Sequence, residues 1–294
     1  MTSSLVVGGS GFLGQSLLKV LGRRGLGTYV GKPFAGGIQF DATRARFDDG
    51  EAWLPADLSH VFILYGAVNP DWCARDPQAT RQINVDSIVG LIEDCFARDV
   101  TPVFMSTDYV YDSHPNERSE DEPRSPTTEY GRQKSEVEAW LEKADRPWLI
   151  CRSSKIVSGD VGIHSVLGQW VEDIKAGRTI RCATDQIFTP GHVDDIATAM
   201  VELADTGCRG IYHVAGPESM SRYELASILI ENVRRRTEIA ISFETCRLSD
   251  IPFFEKRPLN TSISTAKLRS AVSHRFVTMA DLARDVATFH FPDA

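Results

Sequence analysis

The chain has 294 residues, 42% hydrophobic, 24% charged and 9% aromatic, and its 32 basic and 40 acidic side chains leave a net charge of −8. A chain this long buries a core without disulfides or a metal, and scattered lysines and arginines under net negative charge leave no footprint for nucleic acid or an anionic membrane surface. No stretch reaches the roughly 18 to 20 apolar residues that span a bilayer, residues 1–4 lack the basic start of a signal peptide, and the six cysteines contain no CxxC pair, so a cytoplasmic protein is expected.

Short apolar runs alternate with amphipathic stretches from the start, the pattern of βαβ units feeding a parallel sheet. Strands are predicted at residues 5–7, 28–30, 38–40, 61–65, 102–106 and 148–152, and helices at 12–22, 79–97 and 128–143. An α/β doubly wound unit over residues 1–152 follows. Beyond it Pro190, Gly207, Gly210, Gly216 and Pro217 punctuate shorter elements. The expected arrangement is a smaller, discontinuous lobe from 153–189 and 218–294, with the chain returning to the first sheet at about 190–217. The Pro- and acid-rich stretch 114–126 reads as a solvated loop after a strand, a candidate lid.

Residues 5–14 read LVVGGSGFLG: a buried strand, a turn with glycines at 8, 9, 11 and 14, and a helix opening at Phe12. Glycine permits the tight turn and lets backbone approach a pyrophosphate, while the helix N-terminus supplies amide donors and the positive end of its dipole. Following the first strand and opening the first helix, Gly8, Gly11, Phe12, Leu13 and Gly14 are candidates for holding a dinucleotide. An NAD site commonly places an acid at the end of the second strand. Here that place reads Val30, Gly31, Lys32, and the first acidic residue in the chain is Asp41. An ammonium at Lys32 neutralises a 2′-phosphate, so NADP is expected over NAD, which stays open; a plain solvated loop lysine is the alternative.

Tyr130-Gly-Arg-Gln-Lys134 sets a phenol and an ammonium four residues apart, on one face of a predicted helix. A fixed cation favours the phenolate and lowers the pKa of a phenol, which would let Tyr130 exchange a proton with an alcohol oxygen. Alone such a pair is commonplace. Its weight comes from the run Ser106-Thr107-Asp108-Tyr109-Val110-Tyr111, which puts hydroxyls at the carboxyl end of a parallel strand, where ligands of open α/β sheets bind. A hydroxyl there orients a substrate carbonyl for hydride attack; its alternative is a turn or helix cap.

Taken together, the glycine loop, Thr107 in STDYVY, YGRQK, and HVDDIA at 192–197 resemble an extended short-chain dehydrogenase/reductase, with a Rossmann-type nucleotide-binding unit. More narrowly, STDYVYD, DQIFTP at 185–190 and RPLNTSISTAKL at 257–268 are similar to the dTDP-4-dehydrorhamnose reductase group of nucleotide-sugar enzymes, and the match covers nearly the whole chain. The resemblance implies a catalytic set of Thr107, Tyr130 and Lys134, with Tyr130 as proton donor, Lys134 as its partner and ribose ligand, and Asn84 supporting the lysine through water. It also implies that Gly66, Ala67 and Ser153 lie against the cofactor and Asp41 near the adenine, and that a homodimer is common.

Two departures bear on the substrate. The rhamnose branch continues the sixth strand as an RTSW-like run, with the tryptophan facing the sugar; here it is Arg152-Ser153-Ser154-Lys155, and Lys155 suits a carboxylate or phosphate. Tyr65 stands where the branch has an asparagine. The C-terminal FHFPDA carries no carboxylate cluster, so no metal is expected. Arg257 is assigned a diphosphate, because a guanidinium fork suits phosphate oxygens; a structural arginine paired with a carboxylate is the alternative. The leading reading is an NADPH-dependent reductase of a nucleotide-activated keto-deoxysugar. Beside it stand a non-catalytic NADP-binding regulatory subunit and an epimerase or dehydratase of the same fold, in which Asp108 would be the extra acid/base.

Overall fold

The alternation of apolar strands and amphipathic helices builds a seven-stranded, wholly parallel sheet in the computed structural model, which describes residues 2–47, 53–162 and 165–292. The strands are β1 (Ser3–Val7), β2 (Gly25–Tyr29), β3 (Ile38–Gln39), β4 (Leu58–Ile63), β5 (Thr101–Thr107), β6 (Leu149–Ser153), β7 (Ile156–Val157), β8 (Ile180–Ala183), β9 (Ile187–Phe188), β10 (Gly191–His192), β11 (Gly210–His213), β12 (Met220–Ser221) and β13 (Phe243–Cys246). The helices are α1 (Phe12–Leu21), α2 (Pro70–Arg75), α3 (Pro77–Arg81), α4 (Ser87–Ala97), α5 (Glu129–Leu141), α6 (Val166–Lys175), α7 (Val193–Asp205), α8 (Arg222–Arg234), α9 (Ala266–Ala271) and α10 (Met279–His290).

The sheet order is β3-β2-β1-β4-β5-β6-β11, so the winding reverses between β1 and β4 and opens a crevice at their carboxyl ends. Successive strand residues face opposite sides. Val6, Phe62, Val103 and Cys151 pack with α1, α7 and Leu268 of α9 on one face, while Leu5, Val61, Ile63, Phe104 and Ile150 pack with α4 and α5 on the other. A separate core joins α6, α8 and α10 through Trp170, Leu229 and Val286.

Two predicted elements differ in detail. The helix expected over 79–97 is α3, a π-helical turn at Gln82–Asp86 and α4. The widened turn sets the buried Asn84 between two helices, and its cause is the hydrogen bonding described below. The fourth strand, expected at 61–65, ends at Ile63, because its pairing partner β1 ends at Val7. Tyr65 therefore lies beyond the strand, in the crevice.

Candidate active site

The glycine turn forms one wall of the crevice. Gly8 has φ +94°, a conformation that side chains other than glycine rarely adopt, and a Cβ there would stand 3.1 Å from the Tyr65 amide nitrogen. A Cβ at Gly14 would collide with the Gly8 carbonyl oxygen. Gly11 is the N-cap of α1, with no side-chain cap and no acid in the first turn, which leaves the leading amides free for an anion. Phe12 and Leu13 turn their side chains into the core, so what they offer a ligand is backbone. The Gly8 amide donates to Thr28 Oγ1 at 3.3 Å, a contact with β2 that no motif announced.

Gly8, Gly11 and Thr28 line a cavity of about 390 Å³, together with Lys32, Asp41, Tyr65, Gly66 and Val68, whereas Phe12, Leu13 and Gly14 lie outside its lining. Lys32 is exposed at its edge. Asp41 accepts from Thr43 N at 3.0 Å and Thr43 Oγ1 at 2.6 Å and pairs with Arg44 at 3.5 Å, so it shapes the loop as well as facing the cavity. The cradle of glycines, the uncapped helix end and the cation fit a dinucleotide.

A second cavity, of about 340 Å³, adjoins the first, and Val68 lines both. Thr107 ends β5, and Asp108 begins the 3₁₀ turn that follows. Thr128 caps α5 by accepting from Gly131 N at 3.1 Å, which brings Tyr130 into the helix's first turn beside them. The Thr107 hydroxyl donates to Asp108 Oδ1 at 3.0 Å and lines the same cavity as the Tyr130 phenol.

Tyr130 titrates in the opposite direction from the sequence expectation. Burial raises its pKa well above the usual 10, the Asp108 charge adds to this, and the Thr107 hydroxyl opposes it. Lys134 is four residues away, and one of its three ammonium donors is used by the Met105 carbonyl at 3.0 Å, with the ammonium 4.6 Å from the centre of the Phe104 ring. Burial pushes Lys134 down to about 8, with Glu138 opposing. Tyr130 is a neutral phenol at neutral pH, as an unshifted tyrosine also is, and in that form it can give a proton but not take one.

Asn84 is buried and makes direct hydrogen bonds on both sides. Its Oδ1 accepts from Ala67 N at 2.7 Å, and its Nδ2 donates to Ala67 O at 3.0 Å and to Gln133 Oε1 at 2.8 Å. It therefore ties the Gly66-Ala67 strand end to the helix that carries Tyr130 and Lys134. A Cβ on Gly66 would approach Asn84 Oδ1 to 2.8 Å and Lys134 Nζ to 3.7 Å, so the missing side chain leaves room beside both.

Asp108 accepts from Ser154 Oγ at 2.8 Å and Thr261 Oγ1 at 2.7 Å as well as from Thr107. Burial nevertheless raises its pKa. Ser153, at the end of β6, is buried in register with Thr107. Lys155 is exposed towards the second cavity. Arg257 also lines this cavity, but its guanidinium reaches Asp71 Oδ1 at 2.8 Å and the Glu255 carbonyl at 3.0 Å and lies over the Phe253 ring, so its fork is already engaged by the protein. Sequence reasoning passed over Tyr109, Gln186, Phe188 and Arg222, which also line it. Tyr109 follows β5 directly, while Gln186, Phe188 and Arg222 sit on segments that only folding brings to β5. Among the described residues no group of three or more His, Cys, Asp or Glu side chains could hold a metal ion, and no helix is long and apolar enough to cross a membrane.

The family model described as the RmlD substrate binding domain matches residues 2–286. The chain is 25% identical over 289 residues to the probable low-salt glycan biosynthesis reductase Agl14 of Haloferax volcanii, covering 95% of each chain. It is also 25% identical over 288 residues to the methionine adenosyltransferase 2 subunit beta of Pongo abelii, covering 90% of this chain and 81% of the relative. Among solved structures, a hypothetical dTDP-4-dehydrorhamnose reductase from Sulfolobus tokodaii superimposes with a TM-score of 0.80 at 24% identity, over 94% of this chain and 97% of that one. The Bacillus anthracis dTDP-4-dehydrorhamnose reductase in complex with NADP does so at 0.79 and 16% identity, over 97% and 98%.

Proposed function

Because the chain belongs to the RmlD substrate binding domain family, we propose that it is an NADPH-dependent reductase of a nucleotide-activated keto-deoxysugar. The observation that carries this reading is the buried Tyr130 phenol, held protonated beside the Thr107 hydroxyl in a cavity that adjoins the glycine cradle.

NADPH, when bound, supplies the hydride for the keto carbon. The leading amides of α1 hold its diphosphate, Lys32 meets the 2′-phosphate, and Lys134 reaches the nicotinamide ribose. With substrate in place, the Thr107 hydroxyl would turn its one proton from Asp108 to the keto oxygen and fix its direction. Tyr130 gives its phenolic proton to the oxygen as negative charge develops there. Asn84 and Gln133 keep the helix in register with the Gly66-Ala67 edge while this happens. A cytoplasmic setting suits the six free cysteines.

The experiment follows NADPH consumption by the purified protein over a panel of nucleotide-linked 4-keto-6-deoxysugars. Tyr130→Phe is expected to lower turnover by about 10²- to 10⁴-fold, the usual weight of a general acid. The similarity to the methionine adenosyltransferase subunit beta favours a second reading, a cofactor-binding subunit of another enzyme. Tight NADPH binding with no sugar reduced would favour it.

A further inference from the structure

The cavity that holds Tyr130 also holds three cations, Lys155, Arg222 and Arg257. They are not equivalent. Arg257 is neutralised by Asp71. The Arg222 guanidinium lies over the Trp170 ring, 5.4 Å from its centre, and neither it nor Lys155 makes an ion pair among the described residues. The neighbouring carboxylate, Asp108, is buried and already accepts from Thr107, Ser154 and Thr261. Desolvation, and after it repulsion from Arg222, lowers the pKa of Lys155 against the pull of Asp108. Two like charges facing one polar cavity are costly in the free protein and relieved by an anion.

A chain of contacts places this anion. Ser154, next to Lys155, donates to Asp108; Asp108 accepts from Thr107; and Thr107 lines the same cavity as Tyr130. Lys155 is therefore at the end of the cavity where the reacting sugar sits. The diphosphate of a nucleotide sugar hangs from the anomeric carbon, across the ring from a 4-keto group, and so away from the end of the cavity where Lys155 lies. Resting on the nucleotide-sugar part of the reading above and replacing its deoxysugar part, we infer that Lys155 and Arg222 form a subsite for a carboxylate on the reacting sugar, so that the substrate is a nucleotide-linked sugar acid rather than a 6-deoxysugar. Its keto group is reduced in the ordinary way and the carboxylate takes no part in the chemistry. It serves as a handle that selects the sugar and fixes its pose.

The test is calorimetric titration of the NADP-loaded protein with UDP-glucuronate, UDP-glucose and UDP, with dTDP-glucose as a control for the base. The glucuronate is expected to bind about tenfold or more tighter than the glucose, as a charge-assisted contact allows. Lys155→Met and Arg222→Gln are expected to abolish that preference while leaving affinity for UDP within about twofold, and unchanged NADPH binding shows that the variants fold. Equal affinity for the two sugars overturns the inference. So does equal weakening of UDP, which would assign the cations to the diphosphate. If NADPH binds but no nucleotide-linked ligand does, the nucleotide-sugar reading fails by itself. Protection of Lys155 from acetylation by free glucuronate, measured by mass spectrometry against glucose, then decides the subsite: protection upholds it and its absence overturns it.

Discussion

Asp108 and Thr261, 153 positions apart in the chain, share a 2.7 Å hydrogen bond that ties the turn after β5 to the segment leading into α9. Thr261 is one of three hydroxyls that donate to this buried carboxyl group, whose pKa burial raises all the same. A carboxyl with a raised folded pKa binds more protons folded than unfolded, so its contribution to stability falls as pH rises above the ordinary carboxylate range.

Thr261→Val removes one donor to the charged form and should shift the Asp108 pKa further up. The expected loss is about 1.5 to 3 kcal/mol where Asp108 is ionised, smaller at pH 5 than at pH 8. Urea denaturation at the two pH values checks it. An equal loss at both would mean that Thr261 acts through packing alone.

Lys134 at about 8 lies below its ordinary 10.5 because it is buried. Between those two values the unfolded chain holds the extra proton, so this group's contribution makes the fold more stable as pH rises through that window. Ligand binding runs the other way, because the ammonium is the form that donates to a ribose. The NADPH dissociation constant should rise by about tenfold as pH climbs from 7 to 9, the scale of one lost charged hydrogen bond. Lys134→Met should bind more weakly and show no such dependence, as fluorescence titration would reveal.

Lys32 is the exposed cation at the edge of the cavity formed by the glycine turn and β2. Reversing its charge should weaken NADPH and spare NADH. Lys32→Asp is expected to lower the NADPH-to-NADH affinity ratio by about tenfold or more, equivalent to about 1.4 kcal/mol. An unchanged ratio would remove the basis for choosing NADPH.

Glu138, on α5 one turn beyond Lys134, pairs with Arg152 at 2.6 Å with both side chains essentially inaccessible, at 0% and 1% exposure. Tyr111 and Arg124 join the same network. Glu138→Ala leaves the Arg152 guanidinium buried without a counter-charge and should cost about 3 to 5 kcal/mol in denaturant unfolding. Glu138 also holds up the Lys134 pKa. Its loss should therefore move the pH midpoint of NADPH binding downwards.

Much of the fold was legible because its signals are local. The apolar run into Gly8 and the helix from Phe12 needed only side-chain chemistry and the freedom of glycine at φ +94°. The first six strands of the sheet were found near their places for the same reason, each being a short apolar run closed by turn residues. The π-helical turn at Gln82–Asp86 was not legible: Asn84 is held by Ala67 and Gln133, 17 and 49 positions away, and nothing in the local periodicity records them. Arg222 was missed because it opens a helix in a separate core and meets β5 only through folding.

What the sequence alone determined is what depends on neighbours in the chain: the strand-turn-helix glycine loop, the alternation that makes a parallel sheet, and the four-residue spacing of Tyr130 and Lys134. Only the tertiary structure decided how those groups titrate and which were free. The pKa of the phenol rises instead of falling, the lysine gives one proton donor to Met105 and lies over Phe104, and Arg257 is claimed by Asp71 from 186 positions away. Desolvation and Coulomb interactions sum over every segment packed around a group, so their sign is set by the three-dimensional neighbourhood.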